Sequence, residues 1–238
     1  MVKLSPFHEH PQREKLTNEV HSRPPAEVPG PMICTHLALL TGENGFEGER
    51  IHLRELAALF GAKAPEKFGN HLVLELGNRK LVWERHTEFS TYTFFEYLSE
   101  NRKPEEAFAH PPLSALPENW KEKLSGELLV AINLAVVSAP AEEIDPHLNT
   151  LFDPQRLIGA RVAGGAAAAW TDFTLHEDGL SRILIANQSL KPGRMGRLVQ
   201  RLLEIETYRM MALLAFPLAR ALAPEISNME QELARIAT

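Results

Sequence analysis

Runs of apolar residues separated by short polar or Gly- and Pro-rich segments recur along this chain, and their lengths predict both strands and helices. Residues 32–41 and 127–137 are predominantly apolar, which is typical of strands buried within a sheet. Residues 49–60 carry apolar side chains at helical spacing and are followed by Gly61, so they predict an amphipathic helix with a glycine stop. Further strands are predicted at residues 91–97, 157–162, 168–176 and 180–186.

Turn signals indicate how these strands are connected. Gly77 and Asn78 separate two alternating segments, residues 71–76 and 79–89, and a Gly-Asn pair is a favoured two-residue hairpin connection. Residues 177–179 predict another tight turn before the last strand. Because hairpins outnumber helical crossovers in this order, we predict an α+β fold with a mainly antiparallel sheet and flanking helices.

Three segments of the chain differ in composition. Residues 1–30 form a proline-rich, charged arm without the apolar core of a secretory signal, residues 31–190 form the α+β domain, and residues 191–238 form a helical arm. The longest uncharged stretch of that arm, residues 210–219, would rise only about 15 Å as a helix, roughly half a bilayer. We therefore expect the chain as given to be soluble.

The helical arm carries its own start and stop signals. Pro192 suits the first turn of a helix, Pro217 is expected to kink or break it, and Pro224 can start it again. The last apolar residues recur every three or four positions, as in a coiled coil: Ile226, Met229, Leu233 and Ile236. This stripe either packs back on the domain or begins a longer helical stalk that continues beyond the sequence.

Composition narrows the class of protein. The 238 residues include 25 Lys and Arg against 31 Asp and Glu, and this net charge of −6 argues against a dedicated nucleic-acid binder. Cys34 is the only cysteine, so it forms neither an internal disulfide nor a multi-cysteine metal site. Its position in a buried strand predicts an inert thiol. No nucleotide, hydrolase or zinc-protease motif is present, and the sequence identifies no cofactor.

The strongest polar pattern follows Trp83. Because strand side chains alternate, Glu84, His86 and Glu88 would project from one face of a strand and Arg85 from the other. Two carboxylates beside an imidazole can bind a divalent cation or support acid–base catalysis. The same alternation also describes an ordinary solvated face of a sheet.

A second alternating pattern contains Asp172 and His176, which we place within reach of a shared water or metal and too far apart for a direct backbone hydrogen bond. If this strand lies beside the one carrying Glu84, His86 and Glu88, the two rows converge on one catalytic or metal site, with Arg85 assisting. This convergence is the basis of an enzymatic hypothesis.

Basic residues concentrate in the helical arm of this acidic chain. Arg194, Arg197 and Arg201 could face anionic lipid, a phosphate, or the acidic domain itself. No aromatic residues are interleaved with them to stack on bases, so nucleic acid is the least favoured partner.

Several segments together resemble one protein family. They are TNEVHSRPP from Thr17, HLALLTGE from His36, WERHTEFSTYTFF from Trp83, GGAAAAWTDFTLHEDGLSR from Gly164 and GRLVQRLLEIETYRMMALLAFPLAR from Gly196. They are similar to an uncharacterised bacterial family of predicted membrane-anchored proteins, a domain of unknown function. The resemblance implies a soluble α/β region on the cytoplasmic side of the inner membrane, followed by long helices with coiled-coil character and a C-terminal anchor. We expect this sequence to lack the anchor. The resemblance implies no activity, ligand or catalytic residue.

Two functional hypotheses follow. The first is a sensor, scaffold or assembly domain that self-associates or binds partner helices through its C-terminal arm. The second is a metal-dependent or acid–base enzyme that uses the His, Glu and Asp cluster on the sheet.

Overall fold

One eight-stranded sheet forms the body of the protein. The computed structural model describes residues 10–11, 13, 27–42, 45–67, 69–98 and 103–236, so most of the predicted N-terminal arm lies outside the described residues. The strands are β1 (Met32–Leu40), β2 (His71–Leu76), β3 (Arg79–Arg85), β4 (Phe89–Tyr97), β5 (Glu127–Val137), β6 (Ile158–Val162), β7 (Ala167–Thr171) and β8 (Ser181–Asn187).

The strand order in space is β2, β3, β4, β1, β5, β8, β7 and β6. Six of the seven neighbouring pairs are antiparallel, and only β5 and β8 run parallel. The predicted α+β class and the mainly antiparallel sheet are therefore confirmed. β1 and β5 lie in the middle of this sheet and are covered on both faces, which explains why they appear as apolar runs in the sequence.

Six α-helices accompany the sheet in the described part of the chain. They are α1 (Phe46–Leu59), α2 (Glu118–Lys121), α3 (Ala141–Ile144), α4 (Leu148–Leu151), α5 (Pro192–Leu213) and α6 (Ala215–Ile236). Single 3-10 turns lie at Pro104–Glu106, Pro112–Ala115, Asp145–His147 and Ala163–Gly165.

The alternation of side chains along β4 separates two hydrophobic cores. Tyr92 and Phe94 point to one face and pack in a cluster with α1. Phe89 and Phe95 point to the other face and pack in a cluster with α5. The sheet is thus the middle layer between α1 and α5, while α3 and α4 cover its β7 and β8 side.

The two strands that carry the polar patterns end earlier than predicted. β3 ends at Arg85, because the chain turns over residues 86–88 and the His86 backbone N–H donates to the Phe89 carbonyl at 2.8 Å. β7 ends at Thr171, and Phe173 adopts a left-handed backbone with φ of 51° that breaks the extended strand. Neither polar pattern is therefore a continuous row on a strand.

The C-terminal arm follows the proline signals in part. Pro192 occupies the first turn of α5, as predicted. The helix is interrupted only at Leu214, and this agrees with the clash expected between the Pro217 ring and the carbonyl of Leu213, four residues earlier. The prediction that Pro224 starts a new helix is wrong, since Pro224 lies inside α6.

α5 and α6 differ in burial. α5 packs on the sheet through Met195, Val199 and Leu203, whereas no residue of α6 is buried. The predicted C-terminal stripe does not pack back on the domain, because Ile226, Leu233 and Ile236 are 54%, 73% and 84% exposed.

Among the described residues, one helical segment, Pro192–Ile236, is long and apolar enough to cross a membrane. The expectation that the chain is soluble therefore stays a prediction.

A buried ion pair fixes α1 against the sheet. The Arg85 guanidinium pairs with the Glu49 carboxylate and donates to the Gly42 carbonyl at 2.8 Å. Both charged side chains are buried, and the Phe46 ring lies 5.1 Å from the guanidinium carbon. Because the two opposite charges pair with each other, the free-energy cost of burying each of them in the core is offset.

We predict that Arg85→Met lowers the free energy of unfolding by about 3–5 kcal/mol, because Glu49 is then left buried without its counter-charge. The double variant Glu49→Leu/Arg85→Met should be more stable than Arg85→Met alone, since it removes both charges. Urea denaturation measures the free energy of unfolding of each variant.

The control is Arg161→Met, at the exposed pair that Arg161 makes with Glu142 at 2.7 Å, and it should leave the stability nearly unchanged. A double variant less stable than Arg85→Met would contradict this account of the buried pair.

Candidate functional site: a cavity between the sheet and helix α5

A cavity of about 60 Å³ lies between helix α5 and the sheet, which is room for a few water molecules or a small group. Its floor is the α5-facing side of β1, β3 and β4. The strand register places Glu84 directly opposite Thr91, and Thr93 between Val82 and His36. The polar groups of the floor therefore come from three neighbouring strands.

The roof of the cavity is one face of α5. Its residues recur at spacings of three and four, which is the period of a single helical face: Gly196, Val199, Gln200, Leu203, Thr207 and Tyr208. Gly196 lacks a side chain at one end of this face, whereas Tyr208 contributes an aromatic ring at the other. Glu204 also lines the cavity, and its carboxylate accepts a hydrogen bond from the Gln200 amide at 2.8 Å.

His36 connects the floor to the roof. The Thr207 hydroxyl donates to the Leu203 carbonyl at 2.9 Å, so its oxygen accepts a hydrogen bond from His36 Nε2 at 3.0 Å. In the neutral ring, Nδ1 is then the acceptor for the Thr93 hydroxyl at 2.8 Å. Burial lowers the pKa of His36 to about 4, which agrees with this neutral tautomer.

One end of the cavity is aromatic. The His86 ring stacks on Phe89 with their centres 4.0 Å apart, and Tyr208 meets both rings edge-on. Because Tyr208 belongs to α5, these contacts attach the last part of that helix to the turn between β3 and β4.

The structure separates the residues of the first polar pattern. Glu84 and His86 line the cavity together, as the alternation of β3 predicted. Glu88 is exposed in the turn after β3. Arg85 lies on the opposite face of the sheet, paired with Glu49, and so does not share a site with Glu84 and His86.

The second polar pattern lies far from the first. Four strands, β4, β1, β5 and β8, separate β3 from β7, so the expected convergence of the two rows is wrong. Asp172 and His176 are in direct contact, with His176 Nε2 3.1 Å from an Asp172 oxygen. The chain turns after Thr171 and brings them into direct contact.

The hydrogen bonds of Asp172 connect two segments of the backbone. Its buried carboxylate accepts hydrogen bonds from the backbone N–H groups of Asp153 at 2.9 Å and Thr174 at 3.2 Å, in addition to its contact with His176. These bonds hold the connection between β7 and β8 against the segment that precedes β6.

The remaining candidates do not form a metal or nucleophile site in the part of the chain that the structure describes. No group of three or more His, Cys, Asp or Glu residues is arranged to hold a metal ion there. Cys34 is fully buried, and this burial raises the pKa of its thiol, so it is protonated at neutral pH.

Sequence reasoning missed the cavity residues His36, Thr91, Thr93 and Thr207. One signal was available, because His36 is an ionisable residue inside an apolar run and therefore needs buried partners. Thr91 and Thr93 are two residues apart on β4, in the same way as Glu84 of β3 and His86 just after it are two residues apart. Their meeting with Thr207 depends on how α5 packs, which the pattern does not contain.

The protein has an α+β fold that is built on one eight-stranded sheet. On one face of that sheet, helix α5 roofs a cavity. A family model described as "Protein of unknown function (DUF3422)" matches residues 8–238, and the chain belongs to this family. This confirms the resemblance to a family without an assigned function. No curated protein and no solved structure matches the chain.

We predict that His36 makes stability pH-dependent. Its pKa in the folded protein, about 4, lies below the ordinary 6.5, so between these values the unfolded chain binds a proton that the folded protein does not. The stabilisation is complete above pH 6.5 and is lost as the pH falls towards 4, by about 3 kcal/mol.

Urea denaturation across this pH range tests the assignment. His36→Gln should lose less stability than the wild type on acidification, by about that same 3 kcal/mol. His110→Asn, at an exposed histidine with φ of 54°, is the control and should follow the wild type. Parallel curves for wild type and His36→Gln would show that His36 is not held neutral by burial.

Proposed function

We propose that the chain is a non-catalytic head domain that assembles with a second copy of itself through helix α6. The observation that carries this proposal is the exposure of α6: it has 22 residues, and none of them is buried. An apolar helix left in water is unfavourable unless another surface covers it.

The arrangement of apolar residues on α6 favours another helix as that surface. From Leu222 the apolar positions follow at intervals of four, three, four and three residues, ending at Ile236. This is the spacing of the buried positions in a coiled coil, and it forms a narrow stripe along about 21 Å of helix. We call this stripe, Leu222, Ile226, Met229, Leu233 and Ile236, the α6 seam.

Four charged residues lie in the C-terminal half of α6. Glu225, Glu230, Glu232 and Arg235 all lie off the α6 seam. A membrane-spanning segment that included this half of α6 would have to desolvate these groups, at a cost of about 2.5–3.5 kcal/mol for each charge at the bilayer centre. A partner helix covers the seam and leaves the charges in water. A second copy supplies an identical seam, and a two-fold pair is the commonest assembly.

The head domain is connected to α6 without a flexible linker in this proposal. α5 forms the roof of the cavity and passes into α6 after the single interruption at Leu214. A change in how α5 sits on the sheet would therefore reorient the α6 seam. This connection supports a sensor or scaffold role in which the head controls assembly.

An anionic membrane is the competing partner. Arg194, Arg197 and Arg201 are exposed on the outer side of α5, where they could meet anionic lipid headgroups. The test of assembly therefore includes lipid vesicles as a separate arm.

Sedimentation velocity over a range of protein concentrations tests the proposal. The wild type should shift from monomer to dimer as concentration rises, and Ile226→Glu/Leu233→Glu should remain monomeric, because it places charges in the seam. Ser227→Glu/Gln231→Glu adds the same charge on the opposite side of α6 and should dimerise like the wild type.

Two results would overturn the proposal. One is a wild type that stays monomeric at every concentration while it co-sediments with vesicles of phosphatidylcholine and phosphatidylserine, which would assign α6 to a membrane. The other is dimerisation that the seam substitutions leave unchanged, which would place the contact elsewhere.

A further inference from the structure

The two sides of the α6 seam carry the same sign of charge. In a pair of helices, the residues that flank an apolar stripe lie beside the partner helix, along both sides of the contact. For the α6 seam these flanking residues are Ala223 and Glu230 on one side and Glu225 and Glu232 on the other. Three of these four residues are carboxylates, and none is Lys or Arg. The border of the seam is therefore acidic.

These carboxylates are available to a partner helix. Glu225, Glu230 and Glu232 are exposed, and none of them forms an ion pair within the described residues. The basic residue that follows them, Arg235, lies on the outer side of the helix, roughly 140° around from the middle of the seam. It therefore does not flank the contact.

A second copy brings like charges together, whichever way it runs. In a parallel pair each side of one seam faces the opposite side of the other, so Glu225 of one copy lies beside Glu230 of the second. In an antiparallel pair each side faces its own equivalent, which brings Glu225 of one copy beside Glu232 of the second. Like charges in such positions oppose pairing. The apolar seam thus holds two copies together against a repulsion.

A helix with basic flanks does not meet this repulsion. Its apolar stripe would cover the seam, and its Lys or Arg residues would lie beside carboxylates instead of opposing them. Charges in flanking positions set the choice of partner in coiled coils, both by attraction to one helix and by repulsion of another. An anionic lipid surface would meet the same carboxylates as like charges, so it is disfavoured at this seam.

We propose that the α6 seam binds, in preference to a second copy, a partner helix whose apolar stripe is flanked by Lys or Arg. This inference rests on the proposed assembly through α6 and names the partner that the seam selects. Self-pairing is then the weaker state, which forms when the protein is concentrated, and a basic helix displaces the second copy.

Fluorescence anisotropy of labelled helical peptides, titrated with the full chain, tests the preference. The native peptide has the sequence of residues 215–236, and the basic-flank peptide carries Glu225→Lys/Glu230→Lys in that sequence. Both substitutions lie beside a carboxylate of the seam in either direction of pairing. We expect the basic-flank peptide to bind about tenfold more tightly than the native peptide, because attraction replaces repulsion on both sides.

A third peptide controls for net charge. The outer-basic peptide carries four lysine substitutions on the side of the helix away from the seam: Ser227→Lys/Asn228→Lys/Gln231→Lys/Ala234→Lys. Each of them adds one charge, whereas each Glu→Lys change adds two, so both substituted peptides gain four. We expect the outer-basic peptide to bind about fivefold or more weakly than the basic-flank peptide, because its charges do not reach the flanks of the seam.

Salt separates the two kinds of pair. Raising NaCl from about 0.1 M to about 1 M shortens the screening length from about 10 Å to about 3 Å. The basic-flank peptide should then bind more weakly, since salt screens an attraction. The native peptide should bind more tightly, since salt screens a repulsion. These opposite signs are expected only if the flanking charges decide the preference.

The seam variant of the full chain, Ile226→Glu/Leu233→Glu, distinguishes this inference from the assembly proposal. It should bind none of the peptides, and it leaves the head domain untouched because no residue of α6 is buried. A native peptide that binds through the seam at least as tightly as the basic-flank peptide would overturn the choice of partner and leave assembly standing. An outer-basic peptide that binds as tightly as the basic-flank peptide would do the same. Absence of binding by all three peptides, or unchanged binding to the seam variant, would overturn both proposals.

Discussion

The packing of α5 on the sheet is the constraint on which the other features depend. This helix buries Met195, Val199 and Leu203 and is connected to β1 and β4 through the hydrogen-bonded series Thr93, His36 and Thr207. The packing closes one hydrophobic core, forms the roof of the cavity and sets the direction in which α6 begins. A displaced α5 would alter all three at once. Because His36 connects α5 to the strands, it links the stability of the fold to the proposed function.

Both faces of the sheet bury polar groups. On the α1 face the charges of Glu49 and Arg85 neutralise each other, and the guanidinium also reaches the Gly42 carbonyl. On the α5 face the Thr91 hydroxyl is left without a partner among the described residues, beside the carboxylate of Glu84.

The sequence predicted those features of the fold that depend on local patterns. β2 and β5 were found at their observed limits, and β1 within one residue, because a hairpin turn or burial on both faces produces an unmistakable pattern. The ends of β3 and β7 were missed because they depend on a backbone hydrogen bond at His86 and on the left-handed φ of Phe173. Neither is visible as a change in hydrophobic periodicity.

Half of the candidate site could be predicted. Alternation along β3 correctly placed Glu84 and His86 on one face, away from Arg85. The convergence with Asp172 could not be judged without the strand order, which puts β1, β5 and β8 between β4 and β7. His36, Thr91 and Thr207 come together only through strand register and helix docking, and these are tertiary properties that a single sequence does not encode locally.

The most direct test of the central claim is backbone amide hydrogen exchange of α5 and α6 in dilute and in concentrated protein. The amides of α5 should exchange slowly at both concentrations, because that helix is docked on the sheet. Those of α6 should exchange fast in dilute protein and slowly in concentrated protein, as the seams pair. Slow exchange of α6 in dilute protein would show that it already packs on the head, and fast exchange of α5 would contradict the docking of that helix.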